Sequence, residues 1–260
     1  MSKKFKDKLC AYCSTAPATT KDHVFSRKFF LEKDRGNLPD APACAACNGK
    51  KAKLELYLTA VLPFAARHKE ATKNLLHGVP RRLVKNRKLQ RELSRTMEPA
   101  WLREGSELYQ PTSIVSFDGT KLEELLKYIG RGLAWYHWAV YLGPEDGVDV
   151  LILTDHASAL MQSFISPRNF PTGLVKDLGG GTVWYEGAQA TEPVTLTVWK
   201  IVMYGGVLLS SDKRTAGTDA VTSSQWWIIT GPPEVTSMVD HLKRSNARKD
   251  ASVISSSETV

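Results

Sequence analysis

The chain is 260 residues long and 42% hydrophobic, enough to bury a substantial core in one or two domains. Its most apolar stretch, around Ile129 to Leu142, is interrupted by Arg131, two glycines and His137, which argues against a membrane span. The net charge of +8 is uneven: residues 1–105 hold 23 Lys/Arg against 10 Asp/Glu, and the remainder holds 12 against 17. A basic half joined to a mildly acidic half points to a polyanion-binding module attached to something else.

The N-terminus, Met1 to Lys8, is charged and lacks the apolar stretch of a signal peptide, so a cytoplasmic protein is expected. Residues 1–55 are turn-rich and contain all four cysteines. Residues 56–105 read as a basic helical segment. Leu54, Leu58, Val61 and Leu62 recur at helical spacing up to a kink at Pro63. A second basic helix starts at Pro80 and carries Leu83, Leu89, Leu93 and Met97. Its polar positions, Arg81, Arg82, Lys85, Arg87, Lys88, Arg91 and Arg95, form either a solvated face or a grip on phosphates.

Residues 106–243 change in texture. A strand is expected over Ser113–Phe117, a helix over Lys121–Val140 and a buried strand over Val148–Leu153. Segments Thr182–Glu186, Val194–Met203, Gly206–Ser210 and Trp226–Thr230 follow, separated by glycine and proline turns, which suggests an antiparallel sheet. Asp155 reads as a helix N-cap, Gly179–Gly181 as a turn and His137 as a packed residue among aromatics. Residues 244–260 are polar, serine-rich and expected to be a flexible tail. The predicted class is α+β, and the tryptophan-rich C-terminal domain suits a packed core or a surface for a protein partner or a second copy.

The cysteines fall in the pattern Cys10-x-x-Cys13, thirty residues, Cys44-x-x-Cys47. Thiols two residues apart can face one tetrahedral ion, and four soft ligands close its shell, so a structural zinc is predicted at Cys10, Cys13, Cys44 and Cys47. Disulfides are disfavoured in a reducing compartment, and a redox Cys-x-x-Cys lacks its usual βαβ setting.

Inside the cysteine frame lies Thr20-Lys-Asp22-His23-Val, then Gly36-Asn37-Leu38, then Cys47-Asn48-Gly-Lys-Lys51. Cleaving a phosphodiester with one metal needs a carboxylate and a second ligand to hold a hard cation, and a base to deprotonate water. Asp22 could supply the carboxylate and His23 the base. In this order, over residues 10–51, the motifs resemble the HNH endonuclease family, whose fold is a ββα-metal finger.

The resemblance implies a metal-dependent nuclease acting on nucleic acid, DNA in particular. Asp22 and Asn48 would be ligands of a catalytic Mg2+ or Mn2+, His23 the general base, and Asn37 the residue that ties the loop and orients His23. Asn48 stands where many members have His, which favours hard ions. Lys51 matches a lysine implied to contact phosphate, and Glu55, one turn on, is an accessory ligand or a partner for Lys51. Lys21, Arg27, Lys28, Lys50 and Lys53 would flank the cleft and neutralise phosphates. The alternatives are a zinc-finger nucleic-acid binder without catalysis and a subunit of a phage or defence complex.

Overall fold

A computed structural model describes residues 5, 7–66, 68–104, 108–209 and 223–236. The class is α+β, with six α-helices and a mainly C-terminal antiparallel sheet among the described residues. None of these helices is long and apolar enough to cross a membrane.

The first unit is a hairpin followed by a helix. Strand β1 (Thr20–His23) pairs antiparallel with β2 (Asp40–Ala43), placing Asp22 opposite Ala41 and His23 opposite Asp40. Helix α1 (Ala45–Val61) starts directly after β2, and the Cys44 Sγ caps it by accepting the Cys47 N–H at 3.4 Å. The helix ends where Pro63 enters a 3-10 turn, close to the expected kink.

The basic segment is more broken than its periodicity suggests. Helix α2 (Lys69–Lys73) passes through a π-helical turn, Asn74–Gly78, into α3 (Val79–Lys85), and α4 (Arg87–Thr96) follows. The single helix expected from Pro80 to Met97 is therefore two. Asn86 leaves helical geometry at φ −125° and ψ 74°, and its side chain caps α4 by accepting the Leu89 N–H. A short polar side chain competing for backbone donors does this, and leucine periodicity does not register it.

A hairpin of β3 (Glu98–Glu104) and β4 (Leu108–Ile114) precedes α5 (Gly119–Trp138), so the expected strand over Ser113–Phe117 belongs to an earlier, longer one. Then come β5 (Gly147–Leu153), α6 (Asp155–Ser163), β6 (Thr172–Leu178), β7 (Val183–Gln189), β8 (Thr197–Met203), β9 (Val207–Leu208) and β10 (Ser223–Gly231). The sheet order is β5-β10-β8-β7-β6, all antiparallel, with β9 on β10. The strand expected from Val194 begins at Thr197, because Leu196 first closes a turn through its N–H to the Pro193 carbonyl. Thr154, not Asp155, caps α6, accepting the Ala157 N–H. Gly179, Gly180 and Gly181 form the expected turn with φ of 65°, 57° and 88°, a conformation glycine adopts without strain. The tail over 244–260 lies outside the described residues.

Helix α5 joins the two halves. Ile228 of β10 lies over Gly130, where an added Cβ would come within 2.6 Å of it. Val24 and Tyr12 of the N-terminal unit lie over Gly132, at 2.9 and 3.3 Å from such a Cβ. One buried cluster runs from Phe5, Val24 and Phe25 through Leu126, Ile129 and Leu133 to Tyr185, Trp199 and Ile228. This cluster draws residues from both sides of positions 55 and 106, while Ala60, Val61, Leu89 and Leu93 form a smaller cluster of their own. Phe25, Phe29 and Phe30 are buried in the larger cluster as packing residues.

Candidate functional site

The four thiols converge because two tight turns face each other. Cys10 and Cys13 sit on a knuckle closed by the Cys10 N–H to the Ala16 carbonyl and the Ser14 N–H to the Cys10 carbonyl, both at 2.8 Å. The Ala11 N–H to the Pro42 carbonyl, also at 2.8 Å, fastens the knuckle to β2, which delivers Cys44 and Cys47 at the start of α1. All four Sγ atoms lie within 4.8 Å of one another. Zn–S bonds of roughly 2.3 Å set tetrahedral S···S separations at roughly 3.8 Å, so the cluster can close on one ion with small adjustments. Burial and the bond to Cys44, together with the neighbouring thiols, push the Cys47 thiol up, whereas at Cys13 burial is outweighed by hydrogen bonds from Thr15, Ala16 and Cys10, which lower it to about 6. The cluster could hold a metal ion, and its donors are those of a structural zinc site.

Alternation along β1 sorts the neighbouring residues onto two faces. Thr20 and Asp22 face α1. The Asn48 Nδ2 donates to Thr20 Oγ1 at 3.1 Å, and one turn later Lys51 Nζ meets Asp22 Oδ2 at 2.9 Å. The same Asp22 oxygen accepts the Tyr12 hydroxyl at 2.5 Å, from between the two knuckle cysteines. Lys51 is fully buried, and it also donates to Glu55 Oε1 at 2.5 Å and to the His23 carbonyl at 2.8 Å. Burial raises the Glu55 carboxyl above its ordinary range, against the pull of Lys51.

Compared with known proteins, the chain matches no family model, no curated protein and no solved structure.

His23 is half-buried at the end of β1. Its Nδ1 is buried and has no hydrogen-bond partner among the described residues. Burial, then Lys21 and Arg27, lower its pKa below the ordinary histidine value, which keeps the ring neutral and able to accept a proton near pH 7. Asn37 is exposed in a left-handed turn at φ 55°, as Gly-Asn turns commonly are, and makes no side-chain bond to His23 among the described residues. The orienting role expected of it is thus not made here.

The basic residues divide by exposure. Arg27 and Lys28 stand exposed on a 3-10 turn, Lys50 and Lys53 are exposed on α1, and Lys21 is exposed but paired with Asp40 at 2.5 Å. Lys51 is corrected: with no exposed surface, its ammonium cannot reach a phosphate, and it is the partner of Glu55 that the i, i+4 spacing allowed. Arg82 is likewise no solvated residue. It donates to the Thr59 and Lys28 carbonyls and to Asn74 Oδ1, while the Asn74 amide donates to the Lys28 and Phe29 carbonyls. The pair pins the turn that displays Arg27 and Lys28.

The donors around Asp22 do not fit a catalytic Mg2+ or Mn2+ as they stand. Asp22 Oδ2 already accepts two donors, and Asn48 is directed to Thr20, two residues from Asp22. Tyr12 carries no signal in the motif beyond being an aromatic residue inside a Cys-x-x-Cys turn, and Thr20 stands in it without an evident role until Asn48 is seen to bond it.

Proposed function

We propose that residues 10–55 form a zinc-stapled, HNH-type nuclease unit that engages DNA and hydrolyses its phosphodiester bonds. The observation that carries this reading is His23: a partly exposed imidazole, its pKa lowered by burial, on a hairpin between two cysteine pairs, with Lys21 and Arg27 near it. In this reading His23 takes a proton from water, the hydroxide attacks phosphorus, the P–O bond to the leaving oxygen breaks, that oxygen takes a proton from solvent, and His23 releases its own to solvent. The nearby cations hold the phosphate and offset its charge. Zinc on the four cysteines has a structural role, holding the knuckle against α1. No step is assigned to a second metal.

The test is nicking of supercoiled plasmid by zinc-replete protein with magnesium, manganese or EDTA, beside a His23→Ala variant. Cutting by the wild type alone supports the reading, and equal cutting by both proteins ends it. The engagement of Asp22 with Lys51 favours a second reading, a zinc-stapled DNA binder without hydrolysis. A gel-shift that both proteins produce equally, with no cutting by either, would select it.

A further inference from the structure

Beside His23 the hairpin and helix enclose a cation of their own. The Lys51 ammonium has three N–H donors and three oxygen neighbours: Asp22 Oδ2 at 2.9 Å, Glu55 Oε1 at 2.5 Å and the His23 carbonyl at 2.8 Å. The Tyr12 ring covers it, with its centroid 5.8 Å from Nζ. A carboxylate from a strand, a carboxylate from a helix and a backbone carbonyl are the oxygen donors that a hard divalent ion takes. Here all three are aimed at one nitrogen in a place with no exposed lysine surface. An ammonium is strongly hydrated in water, so full burial is tolerated only where its donors are met and its charge is opposed. Both conditions hold at Lys51.

We propose that Lys51 is the resident cation of this site: in the wild-type protein its ammonium stands where Asp22 would otherwise hold a divalent metal ion, and removing it opens a cation site between Asp22 and Glu55. Two features of the geometry exclude a metal while Lys51 is in place. Asp22 Oδ2 has its accepting capacity taken by Tyr12 and Lys51. A second cation on the other oxygen of the same carboxylate would lie close to a buried positive charge with little water to screen it. Lys51 cannot easily withdraw, because its stem is enclosed and the Glu55 that holds it lies one turn along the same helix. The inference goes beyond the nuclease reading and does not depend on whether the unit cuts DNA.

The experiment is Mn2+ titration of the full zinc-replete chain, following the free-ion electron paramagnetic resonance signal. The wild type is compared with Lys51→Met and with Lys51→Met/Asp22→Asn. The wild type is expected to show no site tighter than about 1 mM, and Lys51→Met one site per chain at least about tenfold tighter. Adding Asp22→Asn should abolish that site. Amide line broadening by Mn2+ in the unmodified protein gives an arm free of any folding defect, and Asp22 and His23 are expected to stay sharp. A stoichiometric site in the wild type that broadens Asp22 would overturn the proposal. So would a site in Lys51→Met that survives Asp22→Asn.

Discussion

Replacing Glu55 tests the energetics of the buried lysine directly. The Glu55 side chain is 15% exposed and Lys51 0%, so the pair is screened little by water. Removing one partner from a buried ion pair costs about 3–5 kcal/mol, mostly through the charge left behind. Lys51 would retain Asp22 and the His23 carbonyl, which places Glu55→Ala at the lower end, about 3 kcal/mol. Glu55→Gln keeps an oxygen acceptor and should cost about 1–2 kcal/mol. In Lys51→Met/Glu55→Ala no charge is stranded at Glu55's partner, so the double variant should be less destabilised than the sum of the singles by about 2 kcal/mol. Urea unfolding at pH 7.5 of the zinc-replete wild type, both Glu55 variants, Lys51→Met and the double variant reads these differences. A loss below about 0.5 kcal/mol for Glu55→Ala, or additive singles, would refute the account of Lys51 as a buried charge dependent on its carboxylates.

Metal analysis should find one zinc per chain, and Cys44→Ser should release it and lower Tm by about 10 °C or more, since Cys44 is both a candidate ligand and the cap of α1; a metal-free, equally stable wild type would count against the zinc assignment. Burial, with a smaller contribution from Lys176, depresses His137 to about 4 from the ordinary 6.5, and its Nε2 bonds the Tyr185 hydroxyl at 2.9 Å. The unfolded chain therefore protonates first as pH falls: this contribution is complete above pH 6.5 and is lost on the way down to about 4. Screening of the part-exposed ring limits it to about 1–2 kcal/mol. His137→Gln should flatten the pH dependence of urea stability in that window, and an unchanged slope would contradict it. On α4, Arg87, Arg91 and Arg95 repeat every four residues, at intervals of about 6 Å along the axis. If this ridge tracks a phosphate backbone, changing all three to Gln should lower the salt slope of DNA binding by about 2–3, and an unaltered slope would remove α4 from the interface.

What the sequence made legible follows the range of each signal. The cysteine frame was readable because metal ligands must sit at fixed spacing on turns, and the four thiols do converge. Helix α5 was placed within a few residues because its apolar periodicity is long and unbroken. Strand β6 was missed: it lies at the sheet edge, largely exposed, so Thr172–Leu178 never had to alternate. Asn86 was missed because a cap inside a leucine repeat leaves the repeat intact. Lys51 and Arg82 were read as surface cations because residue type carries no record of burial. Apart from Glu55, which the i, i+4 spacing offered to Lys51, their partners come from other elements: Asp22 from β1, and the Lys28 carbonyl from the turn after it. Such long-range pairings appear only when the chain is folded.

Gly130 and Gly132 make α5 a shared wall, two residues apart and bare on opposite sides, with Ile228 against one and Val24 with Tyr12 against the other. A hairpin-and-helix unit of this kind is often imagined as portable. Here it has been fitted to its host: a shorter chain ending near residue 55 would leave Val24, Phe25 and Tyr12 without the surfaces that cover them. Grafting the unit elsewhere would mean carrying α5 along, and a side chain at Gly132 would push against the Tyr12 whose hydroxyl holds Asp22. Sequence change on a distant helix can thus be felt at the candidate site without any residue of the site being altered.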